Sequence, residues 1–119
     1  MTPNLTNIHD QAFYDCPNLI LTDLPNSITE IGWNAFSGCK SLEIIRLPKS
    51  LNILDQFAFD DCSNLKIITF QSVPQIVRNE VFRRCNNLTT INVPWSEGEV
   101  ANAPWGAINA TINYNYGPV

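Results

Sequence analysis

Apolar positions along the chain recur at an interval of 23 residues and are separated by polar ones. The most visible column is aromatic and holds Phe13, Phe36, Phe59 and Phe82. A cysteine follows each phenylalanine by three residues, which places Cys16, Cys39, Cys62 and Cys85 in a second column. A fixed repeat of this length indicates stacked units, because one unit alone cannot bury its apolar side.

Five further columns are mainly aliphatic. Two precede the phenylalanine, and they contain Leu5, Ile28, Leu51 and Pro74, then Ile8, Ile31, Leu54 and Val77. Three follow the cysteine, and they contain Leu19, Leu42, Leu65 and Leu88, then Thr22, Ile45, Ile68 and Ile91, then Leu24, Leu47, Phe70 and Val93. Residues 44–47 alternate between outward and inward positions, as a strand with one buried face requires. Proline follows at 25, 48 and 94, where its missing N–H ends a parallel ladder.

These columns predict a β-rich solenoid with a parallel sheet and no long helix. Short turns or 3₁₀ segments are expected around each A-F-x-x-C element. Short polar residues precede the leucine after each cysteine, and we expect them to hydrogen-bond the backbone of neighbouring turns. They are Asn18, Ser41, Asn64 and Asn87.

The segment LPNSITEIGWNAFSGCKSLEIIRLP, residues 24–48, resembles the BspA-type leucine-rich repeat of bacterial surface proteins. Units of that family carry the elements I-x-x-A-F-x-x-C and L-x-x-I-x-L-P, and the resemblance extends from residue 1 to about 94. It implies a leucine-rich-repeat fold and recognition or adhesion through the solenoid surface, without catalytic residues or a cofactor. Gln71 and Pro74 depart from the pattern and put the local path of the third turn in question.

Residues 95–119 continue the interval in a degenerate form. Adding 23 takes Val77 to Val100, Phe82 to Trp105, Cys85 to Ile108, Leu88 to Thr111, Ile91 to Tyr114 and Val93 to Tyr116. We therefore predict one leucine-rich-repeat domain over 1–119, with repeats in 1–94 and a fifth repeat in 95–119 that serves as a C-terminal cap. The alternative is a separate hairpin or a ligand-binding tail that carries Trp95 and Trp105.

At the other end, Met1 falls in the column of Leu24, so the chain enters a repeat halfway. No earlier residue covers Ile8 or Phe13. One interpretation is a piece of a longer array. The other is a face that packs against a partner or a second copy, and this predicts self-association through the N-terminal face.

Charge and composition restrict the class of partner. The chain has 119 residues, a net charge of −4 and 45% hydrophobic residues, so a nonspecific electrostatic grip on nucleic acid is not expected. No apolar run has the length of a membrane span, and the start MTPNLTNIHD lacks the features of a secretory signal. From the resemblance we expect a location at the cell surface or outside the cell, in a bacterial or phage-associated parent protein.

The cysteine column admits three interpretations. Equivalent positions in neighbouring coils lie about 5 Å apart, which a disulfide could span, but parallel side chains point the same way. Zinc is disfavoured, because no C-x-x-C pair occurs and the only histidine, His9, lies away from the column. We favour buried free thiols that fill space beside the phenylalanines.

Four pairs of opposite charge are also 23 residues apart, and we expect them to set the register between coils. They are Asp23 with Arg46, Asp55 with Arg78, Asp60 with Arg83, and Asp61 with Arg84. The alternative is an anion site formed by Arg78, Arg83 and Arg84. No set of nucleophile, base and oxyanion donors is visible, so we expect no enzyme activity.

The outward positions of the predicted sheet form the candidate binding face. Its eight residues are Leu21, Asp23, Ile44, Arg46, Ile67, Thr69, Thr90 and Asn92. An apolar row beside a polar row on a shallow sheet is typical of a surface that binds a protein or cell-surface ligand. Alternatively, the β-branched residues only support the strands, or the parent protein covers them. The competing function is a structural spacer or assembly element without a ligand of its own.

Overall fold

The computed structural model describes residues 4–117 and contains two parallel β-sheets on opposite sides of one core. The eight strands are β1 (Asn7–Ile8), β2 (Glu30–Ile31), β3 (Ile44–Arg46), β4 (Ile53–Leu54), β5 (Ile67–Thr69), β6 (Ile76–Val77), β7 (Thr90–Asn92) and β8 (Thr111–Asn113). One sheet has the order β1-β2-β4-β6 and the other β3-β5-β7-β8, and every pairing is parallel. The predicted β-solenoid is confirmed, with about five turns and no helix in the described range.

Strand pairing follows the 23-residue interval through the first four coils. Ile8 pairs with Ile31, and Ile45 pairs with Ile68. Inward residues at these positions are almost fully buried, which makes one continuous apolar core. The two unusual positions keep the path intact, because Pro74 is buried and the Gln71 side-chain amide donates to the Leu47 carbonyl at 2.9 Å.

The A-F-x-x-C segments are chains of tight turns. Ala35 and Cys39 donate their backbone N–H groups to carbonyls three residues earlier, whereas Phe36 and Gly38 donate to carbonyls of the next coil. Gly38 has a φ of 75°, a left-handed conformation that suits glycine. Alternate N–H groups therefore close the turn and join neighbouring coils, so few backbone groups are left without partners.

Side-chain columns reinforce this stacking. Ring centroids of successive phenylalanines lie 5.3, 5.2 and 5.9 Å apart from Phe13 to Phe82. The polar column behaves as predicted at three positions. Ser41, Asn64 and Asn87 each donate to a backbone carbonyl of the preceding coil.

The predicted register of the last coil is wrong by two residues. Ile91 pairs with Ile112, at an interval of 21, and not with Tyr114. Ile108, expected in the cysteine column, is 77% exposed, and Tyr116, expected to point inward, is 48% exposed. The reason is local: this coil has no A-F-x-x-C element, so its turn is shorter and the strand begins earlier.

Trp105 nevertheless enters the core. It is fully buried, and its ring lies 5.9 Å from Phe70 and 6.1 Å from Trp95. Its indole N–H donates to the Ala101 carbonyl at 2.8 Å, which satisfies the polar edge of the ring. Trp105 thus packs between the sheets rather than continuing the phenylalanine stack. Whether residues 95–119 act as a cap stays a prediction.

Two of the predicted charge pairs are present. Arg46 contacts Asp23 at 2.7 Å, and Arg83 contacts Asp60 at 2.8 Å. Asp55 and Arg78 form no ion pair in the described part of the chain, so that prediction is wrong. A pair at the same interval was missed, that of Glu43 with Lys66 at 3.3 Å.

The predicted pair of Asp61 and Arg84 is also wrong, because both arginines converge on the neighbouring carboxylate. Arg84 contacts Asp60 at 2.7 Å, while Asp61 contacts Lys40 at 3.0 Å. Asp60 has a side chain only 4% exposed, so it offers the less hydrated and more attractive partner. Burial alone would raise the pKa of Asp60, but hydrogen bonds from Arg84 and Arg83 lower it below its usual value.

We expect Asp60→Asn to destabilise the protein by ~1–3 kcal/mol near neutral pH, because it removes charged hydrogen bonds at a buried site. The loss should shrink as the pH falls, since a carboxylate with a lowered pKa stabilises the fold only while it is ionised. Denaturant unfolding at pH 7 and pH 3 measures both effects. Asp61→Asn is the matched control, with an exposed ion pair and an expected loss below ~1 kcal/mol. Equal losses for the two variants would contradict the special role of Asp60.

Candidate functional site

The structure brings the eight predicted face residues together on the outer side of the sheet β3-β5-β7-β8. Six of them lie in β3, β5 and β7, and the pairings of these strands place equivalent residues side by side. Leu21 and Asp23 extend the face into the first coil, where Asp23 forms a single parallel bridge with Arg46. The predicted residues therefore form two adjacent rows.

The first row is apolar at one end and polar at the other. Ile44 is 48% exposed, and Leu21 and Ile67 are partly exposed. Thr90 and then Thr111 continue the row. Ile20, which was not predicted, directly precedes Leu21 in the chain and is 76% exposed. The apolar end is a small patch of aliphatic side chains on a rigid sheet.

The second row is a hydrogen-bonded ladder. The Asn92 amide donates to the Thr69 hydroxyl at 3.0 Å, and the Asn113 amide donates to the Asn92 carbonyl oxygen at 2.8 Å. Asn92 is only 5% exposed, so it supports its neighbours and offers little surface to a ligand. Sequence reasoning missed Asn113 because the register assigned to the last coil was shifted by two residues.

A groove lies where the strands of this sheet end. Its volume is about 1100 Å³, and it borders the face through Arg46 and Thr69. Further lining residues come from the segments after β3, β5 and β8, and they include Lys49, Gln71, Tyr114 and Tyr116. The carboxyl ends of parallel strands meet at one edge of a sheet, which explains why residues so distant in sequence converge. The two tyrosines were predicted to point inward, so the groove could not be foreseen.

The alternative anion site finds little support in the geometry. Arg83 and Arg84 both bind Asp60, and the Arg83 guanidinium also lies 4.3 Å from the centre of the Phe57 ring. Arg78 is not part of this cluster. The guanidinium groups are engaged in holding two coils together.

The cysteines form a ladder of free thiols. Cys39, Cys62 and Cys85 are buried, and each S–H donates to a phenylalanine carbonyl of the preceding coil at 3.0–3.2 Å. Burial raises the pKa of Cys39 to about 11. Interaction with the Cys85 thiol and burial also raise the pKa of Cys62. Cysteine suits this column because it is small, apolar and still able to satisfy a buried carbonyl.

We expect the native protein to expose one thiol to a bulky aromatic disulfide reagent at pH 8. Cys16 is half-buried in the first coil, whereas the other three cysteines are buried in the core and out of reach of a bulky reagent. Unfolding in denaturant without reductant should release four thiols. Cys16→Ser should abolish the fast native reaction and leave three thiols after unfolding. Two or fewer thiols in the unfolded parent protein would indicate disulfides instead.

Within residues 4–117, the structure contains neither a metal-binding cluster nor a membrane-spanning helix. No group of three or more histidine, cysteine, aspartate or glutamate side chains is arranged to hold a metal ion there. Nor does that part of the chain contain a helix that could cross a membrane.

Comparisons with known proteins agree with this architecture. The profile of the BspA type leucine rich repeat region matches residues 1–103, in 6 copies. The chain belongs to the BspA-type leucine-rich repeat family. Such repeats form protein-interaction modules, are generally non-enzymatic and are typically found on bacterial surfaces.

Two solved structures resemble this BspA-type chain. A leucine-rich repeat protein from Bacteroides ovatus ATCC 8483 superposes with a TM-score of 0.75 at 22% identity, over 92% of this chain and 28% of that one. The T. pallidum leucine-rich repeat protein gives a TM-score of 0.61 at 25% identity, over 94% of this chain and 64% of that one. The chain therefore spans about a quarter of the Bacteroides ovatus protein and slightly under two thirds of the T. pallidum protein. No curated protein matched the sequence significantly.

Proposed function

We propose that this chain is a non-enzymatic protein-binding or adhesion module of a bacterial surface or phage-associated protein. The observation that carries the proposal is the exposed aliphatic row of Leu21, Ile44 and Ile67 beside a polar row on a rigid parallel sheet. The extracellular location is supported by the BspA-type family alone.

The face has the features of a small interface. Side chains held by strands lose little freedom on binding, so less ordering is required than for a loop. The aliphatic residues supply apolar area, while the Asp23–Arg46 pair is half exposed and suits the rim of a contact. A partner that covered Ile44 would exclude water from its apolar side chain. A sheet face that met only solvent would carry a polar residue at this position.

Selection of a random dodecapeptide display library on the immobilised protein tests this function. We expect the enriched peptides to lose at least about tenfold in affinity for the double variant Ile44→Asp, Ile67→Asp, because buried charges disrupt an apolar contact. The matched control is Val73→Asp, which alters an aliphatic residue with 52% exposure outside the face. Peptides that ignore the double variant but are lost with Val73→Asp would place binding elsewhere and overturn the proposal.

A spacer or assembly element is the second candidate, and the first coil favours it. Tyr14 is 50% exposed and Ile20 is 76% exposed, while Phe13 and Leu19 are only partly buried. Such a surface can stack on a second copy. Light scattering as a function of concentration tests this: an assembly element gives dimers or longer species that Ile20→Asp dissociates, while a pure binding module stays monomeric.

A further inference from the structure

We propose that the groove at the carboxyl ends of β3, β5, β7 and β8 binds an acidic, extended peptide segment of the partner protein. Lys49 and Arg46 would receive its carboxylates, and Tyr114 and Tyr116 would contact its apolar parts. The inference rests on the proposed function, because the groove continues the face on which that function depends.

The charge of the groove is complementary to that of an acidic peptide. The chain has 11 acidic and 7 basic residues, yet the part of the groove lining that residues 4–117 provide has two basic residues and no acidic one. Among residues 4–117, no carboxylate lies within 4.0 Å of the Lys49 ammonium. Arg46 uses its Nε on Asp23, so its terminal N–H groups remain for a carboxylate. Lys49 therefore supplies the main positive charge of the groove, and an ammonium without an ion pair favours anionic ligands over neutral ones.

The two tyrosines of the groove provide contact area for the apolar parts of the peptide. Both tyrosines line the groove; Tyr116 is 48% exposed, and Tyr114 is partly buried. Rigid aromatic rings offer contact area at little cost in side-chain entropy. Burial, and then the charge of Glu97, raise the pKa of Tyr114, so its phenol stays a neutral hydrogen-bond donor. The tyrosines therefore add contact surface without adding negative charge.

The geometry favours a peptide over other anions. Four strands span roughly 14 Å at a spacing of about 4.8 Å, the length of four to five residues of extended chain. Such a segment can place carboxylates near Lys49 and aliphatic side chains on the row of Ile44 and Ile67. An acidic saccharide would satisfy the cations but would have no aliphatic side chain for that row.

Fluorescence anisotropy with three synthetic peptides tests the inference. The fluorescein-labelled probes have the sequence Leu-Ser-Leu-Ser followed by Glu-Glu, Gln-Gln or Lys-Lys. In low salt we expect the Glu-Glu peptide to bind about tenfold more tightly than the Gln-Gln peptide, and the Lys-Lys peptide to bind most weakly. Lys49→Glu should reverse the order of the two charged peptides. Lys40→Glu, the matched charge reversal in a distant turn, should leave the order unchanged.

Each outcome decides one claim. Equal binding of the three peptides, no binding at all, or an unchanged order in Lys49→Glu overturns the inference. Stronger binding of tetragalacturonate than of the Glu-Glu peptide at the same groove also overturns it, in favour of a saccharide. Loss of binding in Ile44→Asp with no charge preference would keep the proposed function and reject the acidic ligand. Charge-dependent binding that ignores Ile44→Asp would keep the groove and reject the face.

Discussion

Replacing Phe59 with alanine should lower the free energy of unfolding by ~3–5 kcal/mol, the usual range for truncating a buried phenylalanine. Phe59 is 1% exposed, and its ring lies between those of Phe36 and Phe82 at 5.2 and 5.9 Å. The substitution leaves a cavity in the middle of the stack. Because domains of this size are stable by only ~5–15 kcal/mol, a large share of the total is lost. Urea unfolding followed by far-ultraviolet circular dichroism measures the change.

Two controls define the result. His9→Ala alters an exposed residue and should change stability by less than ~0.5 kcal/mol. Phe59→Leu keeps most of the volume and should recover at least half of the loss. If Phe59→Ala and His9→Ala melt within about one degree of each other, the phenylalanine column is not the core that the structure shows.

Deleting residues 95–119 should have the largest effect. The deletion removes Trp95 and Trp105, exposes Phe70 and leaves β7 without a strand on one side. An open apolar face and an unpaired strand edge promote association. We expect the 1–94 fragment to aggregate or to lose its cooperative thermal transition, as measured by light scattering and calorimetry.

A single substitution keeps the test decisive if the fragment cannot be purified. Trp105→Ala should cost ~3–5 kcal/mol, whereas Trp33→Ala, at 39% exposure, should cost far less. With the other two tryptophans replaced by phenylalanine, Trp105 should show blue-shifted fluorescence protected from acrylamide. A monomeric 1–94 fragment with the melting temperature of the parent protein would show that the segment is not a cap.

The repeat could be predicted from sequence wherever the A-F-x-x-C element is present. Column, strand and burial then follow from one another, because a stacked unit can bury its apolar residues in only one register. Ile45 and Ile68 illustrate this, being paired and buried as expected. The structure also explains the cysteine: its thiol donates a hydrogen bond to a phenylalanine carbonyl of the preceding coil, a role that spacing alone does not reveal.

Prediction failed where the repeating element is missing. In the last coil the interval was extended by arithmetic, but the shorter turn moved Ile112 into the strand position and turned Tyr116 outward. The groove depends on that shift, so it was missed together with the register. The predicted pair of Asp61 and Arg84 was wrong for a different reason. The flexible Arg84 side chain binds the less hydrated carboxylate, and the burial of Asp60 rather than Asp61 is a property of the folded coil.

The alternation of backbone hydrogen bonds within and between coils has an evolutionary consequence. Through the first four coils, each coil presents to the next largely the same donors and acceptors that it received from the one before. Gain or loss of a whole 23-residue unit in the array would therefore restore each bond with a new neighbour, whereas loss of one residue would misalign every column after it. Each unit gained would widen the outward sheet by one strand, about 4.8 Å. The architecture lets a lineage change the reach of its surface by gene duplication without redesigning its core.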